Sequence, residues 1–360
     1  MSNGKNGREK PGLKLVIVII VVVLSILGVN VSEYIPTDWI NPTTSQESEY
    51  DSTEHAEQDV SQENKEDSSE LVISDESVLI VTMIECGQAD SFLIQQGDMV
   101  ALVDCGKVST GDEVVAYLKS LGIEKIDYLF GTHPHEDHMG GMYEVITSFE
   151  IGKIIIPDKQ VTPGWFTKLM KEIRDGSYDP EEPDKEVRYV VEYPEVGDTY
   201  ELGEATIEVL GPVDLSSSNP NNWSTILKVS LGDMDVLMTG DAETSVEKAL
   251  IKAGTDLEAE VLKVGHHGSD TSSSDAFLDE VDPDYALISA ALGNNHDHPI
   301  KSTMEKLEER EIPVYRTDES GTVVVTITTD SVTFSTEPGD YLSGTELAER
   351  EGEKWDHMQQ

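Results

Sequence analysis

The distribution of histidine constrains the fold of this chain more than any other feature of its sequence. Seven of the nine histidines fall into three clusters, in THPHEDHMGG (132–141), LKVGHHGS (262–269) and NNHDHP (294–299). Neutral imidazole binds Zn²⁺, Mn²⁺ and Fe²⁺ well, and carboxylates extend such a site to harder ions. If these three clusters form one metal centre, the fold must bring together three loops that are distant in sequence.

The spacing within the first cluster favours metal binding over a polar surface loop. On an extended loop, His133 and His135 can direct two imidazoles to one ion, and Asp137 and His138 can face a neighbouring ion. The cluster directly follows a strand-like segment, 127–131, whose apolar character predicts a buried strand.

Residues 78–336 alternate apolar runs with amphipathic segments. The strand-like runs begin with VLIVTMI (78–84), SFLI (91–94) and MVALVD (99–104), and helical periodicity covers 112–121, 163–174, 243–253 and 300–310. Strands mixed with surface helices predict one α/β domain built from layers of sheet and helix.

The segment 13–31 is predicted to be a transmembrane anchor. It contains fifteen consecutive uncharged residues, LVIVIIVVVLSILGV (15–29), and the flanking Lys14 can extend to the bilayer surface. A cleaved signal peptide is the alternative, although no convincing cleavage site follows. The early basic residues all precede the uncharged run 15–29, so we expect residues 1–12 in the cytoplasm and the chain after residue 31 outside the cell.

Acidic residues dominate the rest of the chain. Residues 32–77 hold 14 acidic residues and one lysine, which predicts a disordered acidic linker. Residues 78–336 hold 49 acidic and 18 basic residues, a net charge of −31, and 337–360 form an acidic tail. This charge argues against stable binding of duplex DNA, which depends on Lys and Arg contacts to phosphate. It leaves phosphate chemistry open, because bound metal ions bring positive charge.

Seven segments occur in an order that resembles the C-terminal domain of the ComEC competence proteins, in the metallo-β-lactamase superfamily. They are the three histidine segments together with GQADSFLI (87–94), LVDCG (102–106), NNWS (221–224) and LMTGDAE (237–243). The resemblance implies a four-layer αββα sandwich, with the metal site at one edge of its two sheets. It also implies a hydrolase that uses two divalent ions, Zn²⁺ or Mn²⁺.

The same resemblance implies a ligand set. His133 and His135 would bind the first ion, Asp137 and His138 the second, and Asp241 would bridge both. An alternative reading of Asp241 is a helix-capping residue.

The later histidines are harder to assign. His267 and His298 are expected near the ions, as metal ligands, and His266 is expected to contact the substrate or a metal ligand. The resemblance gives catalytic roles to Asp137, Asp241 and His266.

One departure from the wider superfamily concerns the first ion. Many members supply a third histidine, but this chain has none between His138 and Asp241, where Asn222 and Ser224 stand instead. The first site is therefore expected to be weaker, to be completed by water, or to favour Mn²⁺ over Zn²⁺.

The remaining polar candidates each have two interpretations. Asp90 and Asp104 either orient metal ligands or form turns. Lys263 either neutralises a substrate phosphate or is a solvated lysine on an edge strand. Cys86 and Cys105 either pair in a disulfide or are two small buried side chains.

These features predict a membrane-tethered, extracellular hydrolase that acts on phosphodiesters through water activated by two metal ions. Nucleic acid is one substrate class, by the resemblance to ComEC. A cell-wall phosphodiester, such as teichoic acid or its phosphocholine, is the alternative, and a non-catalytic, metal-bearing binding module is a third reading.

Overall fold

The structure, a computed structural model, describes residues 77–178, 186–187 and 189–358. These residues belong to one compact unit. The predicted cytoplasmic segment and anchor, and all of the predicted linker except Ser77, lie outside the described residues. No helix in the described part of the chain is long and apolar enough to cross a membrane.

Strands and helices alternate along the described chain. The strands are β1 (Leu79–Met83), β2 (Phe92–Gln96), β3 (Met99–Val103), β4 (Lys125–Phe130), β5 (Glu150–Ile155), β6 (Ser177–Tyr178), β7 (Glu186–Val187), β8 (Val191–Glu192), β9 (Thr199–Leu202), β10 (Ala205–Gly211), β11 (Ile226–Leu231), β12 (Met234–Met238), β13 (Val261–Lys263), β14 (Tyr285–Ile288), β15 (Val314–Arg316), β16 (Val323–Ile327) and β17 (Val332–Phe334). The helices are α1 (Gly111–Ser120), α2 (Glu136–Met139), α3 (Met142–Ile146), α4 (Gly164–Asp175), α5 (Thr244–Ala253), α6 (Asp275–Val281), α7 (Lys301–Glu309), α8 (Thr317–Ser320) and α9 (Gly344–Met358).

Two large sheets carry the fold. The first has the order β17-β16-β1-β2-β3-β4-β5-β8, and the second has the order β15-β14-β13-β12-β11-β10-β9. Each sheet combines an antiparallel half with a parallel half, which is β3-β4-β5-β8 in the first and β12-β13-β14-β15 in the second. Carboxyl ends of parallel strands share one edge of a sheet, where ligand sites commonly form.

Alternating side chains explain why the two sheets face each other. In β10, Ile207 and Val209 are buried between the sheets, whereas Thr206 and Glu208 on the opposite face are exposed. Phe92 of β2 belongs to the same inner core. A period of two places every second side chain on one face, so one face of each sheet buries its apolar residues against the other sheet.

Helices cover the outer faces. In the first sheet, Leu93 and Leu102 pack with Val114 of α1 and Phe166 of α4. The outer face of the second sheet packs against α5, α6 and α7 through a separate apolar cluster. The predicted four-layer αββα arrangement is therefore confirmed for the described residues.

The acidic tail packs against the domain through the first part of α9. Leu347 of α9 is buried, the backbone nitrogen of Gly344 donates to the Pro299 carbonyl at 2.8 Å, and Arg350 pairs with Glu319 at 2.9 Å. The tail and the domain are in contact, so the boundary predicted at residue 336 marks a change in composition rather than the edge of the folded unit.

Candidate metal centre

The candidate metal centre lies at the carboxyl ends of parallel strands from both sheets. Asp104 follows β3 and the first histidine cluster follows β4, while Asp241 follows β12 and the second cluster follows β13. Each sheet thus supplies part of the site.

One group of ligand-type atoms consists of His133, His135 and Asp241. These atoms all lie within 4.8 Å of one another. His133 Nε2 is 3.0 Å from His135 Nδ1 and 3.8 Å from Asp241 Oδ2. This is the group predicted for the first ion.

A second group consists of Asp137, His138 and His267, with the same 4.8 Å limit. His138 Nε2 lies 3.2 Å from Asp241 Oδ1, and His267 Nε2 lies 3.9 Å from the same oxygen. The two oxygens of Asp241 therefore face the two groups, as a bridging carboxylate would. A carboxylate that only capped a helix would not face both.

Three buried atoms at this centre make no well-aligned hydrogen bond, although the first and the last are only 3.2 Å apart: His138 Nε2, His267 Nε2 and Asp241 Oδ1. A buried polar atom without a partner costs about 1–3 kcal/mol. Three such atoms converging from different strands fit a bound cation, because an ion would satisfy all of them together. The residues present therefore fit the metal that the sequence predicts.

Asp104 contacts His138 on the side of the ring that faces away from the centre. Its Oδ2 is 2.7 Å from His138 Nδ1, and its Oδ1 accepts from the backbone nitrogen of Thr132 at 2.8 Å. The contact with Nδ1 leaves Nε2 facing the centre. A carboxylate outside the ligand set commonly fixes the orientation of a histidine ligand in this way. Asp104 has a φ of 60°, a strained conformation for a residue other than glycine.

The sequence left two interpretations of Lys263 open, and one of them, a solvated lysine on an edge strand, is wrong. Its side chain is 1% exposed on an inner strand of the second sheet, and its Nζ lies 3.0 Å from Asp90 Oδ2. Asp90 Oδ1 in turn lies 3.3 Å from His267 Nδ1. The charge of Lys263 is thus directed at a carboxylate beside the centre.

The later histidines occupy different positions. His266 Nε2 is 3.6 Å from Asp241 Oδ2, while its Nδ1 contacts Thr271 Oγ1 at 3.0 Å. The His298 ring is 5.5 Å from the His266 ring and 6.4 Å from the His267 ring. In the described structure, His298 belongs to neither ligand group and forms part of the wall beside them.

Asn222 and Ser224 support the centre through their own hydrogen bonds. Ser224 Oγ accepts from the backbone nitrogen of Asp241 at 3.1 Å and lies 3.4 Å from His133 Nδ1. Asn222 Oδ1 accepts from the backbone nitrogen of Glu243 at 3.2 Å. Both residues therefore hold the segment that carries Asp241.

Two glycines let the first histidine loop pack closely on the end of β3. A Cβ on Gly140 would come within 2.6 Å of the Val108 backbone nitrogen, and one on Gly141 would overlap the Cys105 carbonyl oxygen. This close approach places His138 beside Asp104.

Burial and charge divide the titratable groups into two classes. Burial, assisted by His138, lowers the pKa of His133 well below 6.5. Burial also disfavours the charged form of His138, but Asp241 and Asp104 outweigh it and raise the His138 pKa well above 6.5. For Asp241, His138 and His267 outweigh burial and hold the pKa well below 3.8. Asp241 is thus an anion and His133 a neutral imidazole at neutral pH, as metal ligands must be.

The two cysteines are free and buried in the structure. Burial raises the pKa of both thiols well above 9.0, assisted by neighbouring carboxylates. The structure therefore corresponds to the reading of two small buried side chains, without a disulfide.

Three further residues at the centre were not singled out from the sequence. Thr132 Oγ1 donates to Asp104 Oδ2 at 2.7 Å, Ser289 Oγ donates to Asp90 Oδ1, and Gln88 Nε2 lies 3.5 Å from His298 Nδ1. Ser289 follows β14 directly, and Thr132 is the second residue after β4. Their position just after a buried strand is the signal that could have found them.

Comparison with known proteins decides the family. Residues 84–291, more than half of the chain, match the profile of the Metallo-beta-lactamase superfamily. The chain belongs to the metallo-β-lactamase superfamily. The superfamily comprises metal-dependent hydrolases, so the fold and the ligand-type residues described above agree with the family.

Several relatives of this metallo-β-lactamase chain are curated proteins. It is 29% identical to ComE operon protein 3 of Bacillus subtilis over 278 residues, which cover 72% of this chain and 34% of that protein. It is 31% identical to Competence protein ComA of Neisseria gonorrhoeae over 248 residues, which cover 68% of this chain and 32% of that protein. The chain spans roughly a third of the length of these relatives. The predicted resemblance is confirmed.

Among solved structures, the metallo-beta-lactamase fold protein YhfI from Bacillus subtilis is similar at 14% identity with a TM-score of 0.46. The match covers 72% of this chain and 99% of that chain.

Proposed function

We propose that this metallo-β-lactamase domain is a phosphodiesterase that uses two divalent metal ions. The observation that carries the proposal is the position of Asp241, whose two oxygens face two separate groups of ligand-type side chains. His133 and His135 would hold one ion with Asp241, and Asp137, His138 and His267 would hold the other. When bound, the ions would supply Lewis acidity and the positive charge that an anionic phosphodiester requires.

The residues of the chain have distinct roles in this proposal. Asp137 has a side chain that is 28% exposed, unlike the fully buried His138, so it can reach both the centre and an incoming water. We assign Asp137 to orient that water and to accept its proton. His266 has Nδ1 engaged by Thr271 and directs Nε2 toward the centre, where it can contact the phosphate or the leaving oxygen.

Nucleic acid is the first substrate class in this proposal, because the relatives include a protein named for competence. The alternative substrate is a cell-wall phosphodiester such as teichoic acid or its phosphocholine. A net charge of −31 over residues 78–336 repels long polyanions of either kind, but it repels the zwitterionic phosphocholine group less. An extracellular domain tethered by 13–31 would meet such polymers at the cell surface, and this location is part of the proposal.

The test measures hydrolysis of bis(p-nitrophenyl) phosphate by the full chain, stripped with a chelator and then supplied with Mn²⁺ or Zn²⁺. We expect turnover that depends on the added ion and that falls by about 100-fold or more in the Asp137→Ala, His138→Ala double variant. Single-stranded DNA, RNA and teichoic acid are then compared at equal phosphate concentration.

Two outcomes would contradict the proposal. Turnover equal to that of the double variant, in a protein that still binds metal, would identify a non-catalytic binding module. Turnover that is unchanged after chelation would show that the reaction does not depend on these ligands.

A further inference from the structure

A buried lysine lies beside the proposed metal centre, where a positive charge is unexpected. Lys263 has a side chain that is 1% exposed, and it lies three residues before His266. Like charges repel strongly where water is excluded, so a lysine beside two divalent cations lowers their affinity unless its own charge is neutralised. Lys263 Nζ has two partners, Asp90 Oδ2 at 3.0 Å and the Val264 carbonyl at 2.9 Å.

Asp90 is close enough to the centre to act as a ligand itself. Ligand-type atoms of Asp90, Asp104 and His138 lie within 4.8 Å of one another. Asp90 Oδ2, the oxygen that Lys263 contacts, is 3.8 Å from His138 Nδ1, which already has a partner in Asp104.

The other oxygen of Asp90 faces His267. Oδ1 lies 3.3 Å from His267 Nδ1, which also lies 3.0 Å from the Ser289 carbonyl, and Oδ1 accepts from Ser289 Oγ. The backbone nitrogen of Asp90 also donates to the Asp137 carbonyl at 2.9 Å. Asp90 therefore touches two of the three residues in the second ligand group, and its carboxylate lies on the Nδ1 side of His267, opposite the free Nε2.

We propose that Lys263 is a positioning residue for the second ion. It holds the Asp90 carboxylate on the outer side of the centre, so that Asp90 orients His267 rather than entering the coordination sphere. Lys263 belongs to the second sheet and Asp90 precedes β2 of the first, so the ion pair also links the two sheets that share this ligand group. This inference rests on the metal binding assumed in the proposed function.

The same sheet offers a matched control. Lys228 of β11 is 5% exposed and pairs with Asp235 at 2.9 Å and Asp256 at 3.1 Å. Neither partner is a predicted ligand. Replacing Lys228 therefore removes a cation that is about as buried as Lys263, without changing any contact of the proposed centre.

The test titrates the full chain, stripped with a chelator, with Mn²⁺ alone, by calorimetry and by electron paramagnetic resonance. The variants are Lys263→Met, the Asp90→Asn, Lys263→Met double variant, and Lys228→Met. The double variant leaves no unpaired buried charge, so it remains testable where the single variant fails to fold. We expect a roughly 10–100-fold loss of affinity for one of two Mn²⁺ ions in the double variant, where His267 lacks its carboxylate partner, and no change in Lys228→Met. In Lys263→Met the freed Asp90 carboxylate can reach the ion, which should change the Mn²⁺ resonance spectrum.

The inference is overturned if the double variant binds two Mn²⁺ ions with the affinities of the unmodified chain, or if Lys228→Met loses affinity equally. If the unmodified chain binds two ions but hydrolyses no phosphodiester, the proposed function is wrong. The comparison of Mn²⁺ affinities between the variants still tests the role of Lys263. A chain that binds no Mn²⁺ would overturn both.

Discussion

Single hydrogen bonds fix the orientation of the histidines at this centre. His138 Nδ1 lies 2.7 Å from Asp104 Oδ2, and His267 Nδ1 lies 3.0 Å from the Ser289 carbonyl and 3.3 Å from Asp90 Oδ1. Each ring thereby directs Nε2 toward Asp241. The direction in which a ligand atom points is therefore determined by a residue that is itself outside the ligand groups.

Replacing the Asp104 carboxylate should weaken metal binding. Asp104→Asn keeps the size of the side chain but removes the negative charge that accepts from His138 Nδ1, so we expect a 10–100-fold lower affinity for one ion. Calorimetric titration with Mn²⁺ measures it. Asp127→Asn is the control, because Asp127 also accepts from a backbone nitrogen, that of Val100, at 3.0 Å in the same sheet. Equal affinities in both variants would show that Asp104 serves the fold alone.

Much of the centre was predictable because each motif follows a strand. His133, His135, Asp137, His138 and Asp241 come together as the resemblance implied. Their roles as ligands stay predictions until ions are counted.

The residues that orient the ligands were harder to predict from the sequence. The partner of Lys263 is Asp90, 173 positions earlier in the chain and in the other sheet. A contact between residues so distant in sequence leaves no local periodicity, so the burial and pairing of Lys263 became visible only in the structure.

The strands were easier to predict than the short elements at the margins. The central strands are continuous apolar runs, because helices cover one face and the other sheet covers the opposite face. Strands β9 and β17 and helix α6 were not predicted. They lie at sheet edges or in an acidic and serine-rich segment, where tertiary contacts rather than sequence pattern stabilise them.

Helix α9 should contribute measurably to stability through Leu347, which is 1% exposed. Leu347→Ala is expected to lower the free energy of unfolding by about 2–5 kcal/mol, because it removes buried methyl groups and leaves a cavity. Urea unfolding measures the change, and Leu347→Met, which nearly conserves volume, should cost less than about 1.5 kcal/mol. A loss of less than 1 kcal/mol in the alanine variant would contradict the docking of α9.

The whole domain combines a strong negative charge with a buried cluster of imidazoles and carboxylates. Because the pKa values of His138 and His267 are raised, both rings are protonated partners of carboxylates until an ion displaces the protons. Their contribution to stability is present below pH 6.5, the ordinary histidine pKa, and is lost as the pH rises through the raised values.

Stability should therefore depend on pH differently with and without metal. In chelator-treated protein we expect the Tm to fall as the pH rises above 6.5, because His138 and His267 lose their protons and leave the carboxylates unpaired. With Mn²⁺ present this decline should be absent, because the ion binds the neutral rings. Thermal unfolding at several pH values measures both curves, and curves that stay parallel would contradict the assignment.

The most direct measurement is the number of ions that one chain retains. After dialysis against Mn²⁺ or Zn²⁺ and removal of free ion, elemental analysis should find two ions per chain in the unmodified protein and at most one in Asp241→Ala, which removes the carboxylate shared by both ligand groups. One ion or none in the unmodified chain, or two in Asp241→Ala, would contradict a centre built jointly by the two sheets.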